Sequence, residues 1–172
     1  MLTLDALHTV RSHATLICEE LLGHYVMTVK TNTPKLHDAL DALDALDWDS
    51  VPVQHTARES GHGRKEKRTI QVTDAPAQIR ELFPHVRQVA LIERYTVRKV
   101  RKRKKNSRRY VTTEVKTAIA VFVMTSMTAR EAAPEHIAAY VRGHWGIENK
   151  IHWVMSRSVR ITPGCVPAPC RA

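Results

Sequence analysis

The first thirty residues constrain the fold most tightly. Leu2-Thr3-Leu4-Asp5 reads as a short buried strand ending on an acid. Residues 6–22 then carry a helical pattern, with Ala14, Ile17, Leu21 and Leu22 on one side and Gly23 as the expected stop. Residues 24–30 are rich in β-formers and alternate, as a second strand would. A strand, a helix and a strand in so short a span imply parallel strands joined by a right-handed crossover. Asp5 and Lys30 would then emerge at the carboxyl ends of neighbouring strands, the edge where open α/β sheets place their sites.

Thr33-Pro34 suits a helix start, a cap followed by a first-turn proline. The helix predicted after it carries one stripe of Leu36, Leu40, Leu43 and Leu46 and another of Asp38, Asp41, Asp44 and Asp47. Four acids at that spacing invite a metal reading, but acids three apart with no convergent partner read as a solvated face. From Asp49 to about Thr128 the pattern turns to β. Strands are expected over 66–73, 86–100 and 110–125, with a short helix over 76–83. They form an antiparallel segment inserted before a last long helix that begins at Ala133-Pro134-Glu135. Residues 157–172, with Pro163, Gly164, Pro167 and Pro169, cannot continue that helix. The expected divisions are 1–48, 49–128, 129–156 and an irregular tail over 157–172.

Charge narrows the partner. Against 17 Asp+Glu stand 27 Lys+Arg, a formal net charge of +10, and such an excess implies a polyanion, most often nucleic acid. Nine of the twelve residues 98–109 are Lys or Arg. Arg101, Lys102, Arg103, Lys104 and Lys105 at its centre suit a phosphate-binding finger without base specificity, because no aromatic residue interleaves them. His62, Arg64, Lys67 and Arg68 make a weaker basic cluster, in which His62 serves equally well as a turn residue beside Gly63. No apolar run approaches the roughly 20 residues of a membrane-crossing helix, so a cytosolic protein is expected. Cys18, Cys165 and Cys170 have neither zinc spacing nor the even count of a disulfide framework.

The last helix carries the decad His144-Trp145-Gly146-Ile147-Glu148-Asn149-Lys150-Ile151-His152-Trp153 just after Arg142. His144, Glu148 and His152 fall four apart and line one strip. That strip borders an apolar face of Ile137, Tyr140, Ile147, Ile151 and Val154. Gly143 and Gly146 each cost the helix about 1 kcal/mol relative to alanine, which suggests close backbone approach. A mononuclear zinc site from His144, Glu148 and His152 remains open, although the dedicated helical pattern is HExxH.

Taken whole, the decad resembles the HWxIENxLHW signature of insertion-sequence transposases of the H-repeat-associated type. Three further stretches continue the resemblance. Asp5-Ala6-Leu7-His8-Thr9 looks like that family's second acidic motif, Tyr25 to Asn32 like the strand after it, and His62 to Arg68 like its HGRxExR motif. The resemblance implies an α/β fold with a partial RNase H-like core, a short parallel sheet with helices, and the antiparallel β segment as an insertion. It implies a DDE enzyme that cleaves and joins DNA with two divalent ions, Mg2+ or Mn2+, held by carboxylates. Asp5 and Glu148 correspond to the second Asp and the Glu of the triad, as catalytic and metal-holding residues. Lys30, Asn32, Arg64, Arg68, Arg142, Trp145 and Asn149, with the finger, are the expected DNA contacts. Partners would be transposon ends and target DNA, with a homo-oligomer assembled on them near the bacterial nucleoid. The family's first Asp, in an Asp-Gly-Lys motif upstream, has no counterpart here, so an N-terminally truncated remnant, inactive alone, is expected. The alternative is a non-catalytic DNA-binding protein or transposition inhibitor.

Overall fold

The computed structural model describes residues 1–41, 47–61, 63–103 and 110–158, with side chains described except at 102–103 and 147–158. Six strands form one sheet in the order β1-β2-β6-β5-β4-β3. They are β1 (Leu2–Leu4), β2 (Tyr25–Val29), β3 (His55–Gly61), β4 (Arg64–Asp74), β5 (Gln88–Arg103) and β6 (Tyr110–Thr125). The helices are α1 (Arg11–Thr15), α2 (Pro34–Asp41), α3 (Ala77–Leu82) and α4 (Pro134–Ser158). The fold is mixed α/β, as expected.

β1 and β2 are parallel, Leu4 beside Met27, and every later pairing in the sheet is antiparallel. The later strands do not form a separate sheet. β6 returns along β2, Val26 beside Thr125 and Val29 beside Phe122, so the parallel pair and the antiparallel strands share one surface. All five residues of β2 are buried, because helices cover both of its sides. Tyr25, Met27 and Val29 join Ala14, Ile17, Leu36, Leu40, Ile79 and Phe83 of α1–α3 and their extensions. Val26 joins Ile137 and Val141 of α4 in the core on the other face.

The continuous helix expected over 6–22 is not found. The Asp5 side chain caps a separate 3-10 turn over Ala6–His8, Val10 is extended, and α1 widens into a π turn at Leu16–Glu20. The local cap by Asp5 and the bond from the Thr9 hydroxyl to the Thr28 carbonyl of β2 override the helical period. Ala14 and Ile17 stay buried as expected, whereas Leu21 is 60% and Leu22 86% exposed. The chain reverses on Leu22, at φ 48, rather than on Gly23.

The strand expected over 110–125 is present at those bounds, and the strands over 66–73 and 86–100 and the helix over 76–83 are present with shifted ends. β3 was not legible in the sequence. His55-Thr56-Ala57-Arg58-Glu59-Ser60-Gly61 lacks an apolar side because it is an edge strand with no fully buried residue. α2 buries Leu36 and Leu40; Leu43, Leu46 and Asp44 lie outside the described residues. α4 begins on Pro134 and runs to Ser158, and 159–172 lie outside the described residues. A Cβ added at Gly143 or Gly146 meets no described atom within 4 Å. Close approach is therefore not their reason, and nothing described in the structure explains them.

Candidate functional site

Asp5 leaves the end of β1 with extended backbone. Its Oδ1 accepts hydrogen bonds from Leu7 N at 3.1 Å and His8 N at 3.3 Å. Both bonds orient the carboxyl group and leave Oδ2 without a hydrogen-bond partner among the described residues. Thr9, 1% exposed, closes the same corner. Its hydroxyl donates to the Asp5 carbonyl at 3.1 Å and the Thr28 carbonyl at 2.7 Å, bridging the carboxyl ends of the two parallel strands. The Asn32 amide donates to the Ala6 carbonyl, tying the exit of β2 to the exit of β1. Lys30 is exposed at the same rim, and its carbonyl accepts from Thr33 N and Oγ1. Asp5, Lys30 and Asn32 are thus brought together.

Thr9→Val, which keeps the shape and removes the hydroxyl, is expected to cost about 1–3 kcal/mol because it strips a buried acceptor of its donor. Thr9→Ser should lose much less. Urea unfolding of the two variants checks this; equal losses would assign Thr9 to packing alone.

α4 reaches this corner from the far end of the chain. It starts just after β6, whose end lies beside the amino end of β2, and crosses back over the sheet. His144 Nδ1 lies 3.3 Å from Thr3 Oγ1, the direction of the bond following the imidazole tautomer. Thr3 and Asp5 are two apart on an extended chain and share a face. Glu148 follows His144 by one helical turn. The side chains of Glu148, Asn149 and His152 lie outside the described residues, as do Lys104, Lys105 and His62 and the side chains of Lys102 and Arg103.

The arginines of the His62–Arg68 motif have a different setting. Arg64, Glu66 and Arg68 alternate along β4 and face α4, with Ile70 and Val72 of the same parity in the core beneath α4. The Glu66 side chain is only 2% exposed; Arg64 lies 3.1 Å from it and Arg68 nearer still. Neither Glu66 oxygen meets hydrogen-bond geometry, so these contacts are ion pairs. Arg68 also lies 3.8 Å from Glu59 on β3, and Arg142 of α4 pairs with the other oxygen of Glu59. The three expected DNA-contacting arginines therefore neutralise two acids that the sequence reading did not single out. The period-two pattern Arg64-x-Glu66-x-Arg68 was the signal that could have found Glu66. Trp145 is partly buried against the core under α4, its ring 5.7 Å from the Arg94 guanidinium.

An oxygen-preferring divalent ion suits a carboxylate such as that of Asp5 at the rim. Among the described residues, however, no group of three or more His, Cys, Asp or Glu converges, so those residues alone do not complete an ion site. Also among them, no helix is long and apolar enough to cross a membrane.

The sequence profile of the family described as "Transposase DDE domain" matches residues 2–162. No curated protein and no solved structure matches.

Proposed function

This chain belongs to the transposase DDE domain family, and from that premise we propose that Asp5 and Glu148 are two of the carboxylates that hold its catalytic ions. The family's function is DNA transposition, its substrate is DNA, and it works with divalent metal ions. The observation that carries the assignment is the Thr3–His144 contact. It joins the face that bears Asp5 to the helical strip that bears Glu148. The proposed ions are Mg2+ or Mn2+, which supply charge stabilisation for the attacking and leaving oxygens when bound. Asp5 is oriented by its two backbone donors, and Thr9 and Asn32 fix the rim from which it projects. Lys30 and the basic finger of β5–β6, Arg101 to Lys105, hold phosphates.

Two-ion transfer takes about three converging carboxylates. Among the described residues no acid joins Asp5 in a group of three or more possible ligands. Asp38 and Asp41 are on α2, and Asp74 ends β4 beside Gln88, which is itself beside Thr125 at the opposite end of the sheet. We propose that the chain is catalytically incomplete alone and that a further carboxylate must be supplied for strand transfer.

Titration with Mn2+, followed by electron paramagnetic resonance, is the test. Weak binding is expected, reduced at least tenfold in Asp5→Asn and in Glu148→Gln, together with DNA retardation but no cleavage in Mg2+. Manganese binding indifferent to both substitutions would remove the assignment. Cleavage lost on Glu148→Gln would instead show a complete site. Stoichiometric zinc lost on His152→Ala would favour the His144–Glu148–His152 reading. The alternative of a non-catalytic DNA-binding protein or inhibitor is favoured by the basic ribbon alone, and retardation without any metal binding would select it.

A further inference from the structure

The two faces of the sheet divide the positive charge unequally. Directly opposed residues of antiparallel strands share a face, and the core positions fix which face is which. Ile70 and Val72 of β4 point toward α4, so Lys65 and Lys67 point away from it. Lys67 is opposite Arg58 on β3 and Tyr95 on β5. Lys65 is opposite Val97, which is in turn opposite Lys116 on β6. Lys99, opposite Glu114 of β6, and Arg101 continue along β5 on the same side, and Tyr110, diagonal to Arg101, closes the row.

None of these cations forms an ion pair among the described residues; on the α4 side Arg64, Arg68 and Arg142 do, while Arg94 and Arg98 do not. Like charges set side by side across strands destabilise a sheet, and Arg58 beside Lys67 is such a pair. A polyanion lying over them would remove that cost. The aromatic rings missing from the run 98–109 are supplied by the sheet itself. Lys67 Nζ is 6.0 Å from the Tyr95 ring and Arg101 4.9 Å from the Tyr110 ring. Both rings are exposed, so they prop the cations outward and offer stacking and hydroxyl contacts. The Tyr95 hydroxyl donates to the Glu93 carboxylate, which holds it above the usual phenol range. From Tyr95 to Arg101 the strip runs roughly 20 Å at about 3.3 Å per residue, a span along which a duplex presents several phosphates.

We propose that this strip, on the sheet face opposite α4, is a second DNA-binding surface that takes the phosphate backbone of a duplex segment apart from the one at the Asp5 rim. The inference rests on DNA being the substrate. It places the DNA path along the side of the ribbon that turns away from the carboxylates, so one chain can hold two duplex segments on opposite sides of its sheet.

The test is fluorescence anisotropy with a mixed-sequence duplex in EDTA, titrated with NaCl, which keeps the result independent of the metal site. Removing one cation that neutralises a phosphate lowers the slope of log K against log salt by about 0.9. The variant Lys65→Gln/Lys67→Gln/Lys99→Gln/Lys116→Gln should be shallower by about 3–4 and bind at least tenfold more weakly at low salt, with a circular dichroism melt no lower than that of the wild type. Should that variant not fold, Arg58→Gln/Arg101→Gln should lower the slope by about 2. An unchanged slope in a folded variant of a chain that binds duplex overturns this surface and leaves the Asp5–Glu148 assignment standing. A wild-type chain that binds no duplex overturns this surface and leaves the Asp5–Glu148 assignment to the manganese titration, and binding to anionic vesicles in place of duplex also overturns this surface.

Discussion

Replacing Arg68 by alanine is expected to lower the free energy of unfolding by about 3–5 kcal/mol, because it leaves a buried carboxylate short of its main counter-charge. Glu66 is 2% exposed and is held between two guanidinium groups of unequal quality. Arg68 is 17% exposed and Arg64 is 52% exposed. An exposed pair contributes about 1 kcal/mol or less, so Arg64 alone cannot compensate. Arg68 also faces Glu59, which pairs with Arg142, and the substitution loosens the link between the β3–β4 hairpin and α4 as well. The double variant Glu66→Leu/Arg68→Met should recover most of the loss, since both charges leave the interior together. Urea unfolding of the single and double variants decides this. A loss under about 1 kcal/mol for Arg68→Ala would return the pair to the class of surface ion pairs. The outcome also governs how DNA-binding data are read, because a weakened Arg68 variant reports reduced stability before it reports on phosphate binding.

Ile137→Ala should cost about 2–5 kcal/mol, the range for truncating a large aliphatic side chain in a packed core. Ile137 is 0% exposed and sits with Val141 and Ala132 on Val26, Ile70, Ala90, Ile92, Val121 and Val123. These contacts anchor α4 to the sheet and thereby hold His144 at Thr3. Hydrogen exchange in α4 should accelerate more than in β2 or β6, which keep their own ladder. Leu22→Ala, at a position 86% exposed, is the contrasting case and should shift stability by no more than about 0.5 kcal/mol. Equal effects at the two positions would mean that α4 is not held by this stripe.

The parts of the fold legible in the sequence were those fixed by local period. β6 announces itself through β-branched residues at every second position from Val111 to Thr125, and β5 through a stretch rich in Val, Ile, Thr and Tyr as far as Val100. Asp5 and Lys30 were placeable at one rim because a strand end is a local feature. The 6–22 segment misled because its helical period is real, and Ala14 and Ile17 do bury. The hydrogen bonds of Asp5 and Thr9 that break it are made to backbone groups which no periodicity encodes. The arginines of the His62–Arg68 motif were visible as charge, but their partner Glu59 lies on a strand with no apolar side, and Arg142 is contributed by a helix at the far end of the chain.

By itself, then, the sequence determined which side chains share a side within each element, since that follows from two residues per strand repeat and 3.6 per helical turn. It also determined the total positive charge and the motifs that carry the family resemblance. Only the tertiary structure decided that β6 closes on β2 and that α4 returns over β1. It alone set ion-paired arginines on one face of the sheet and, on the other, lysines with no ion pair among the described residues. Those outcomes depend on contacts between segments far apart in the chain, such as Val26 with Thr125 and Thr3 with His144. Such contacts are selected by the burial and charge balance of the whole molecule, which no local pattern specifies.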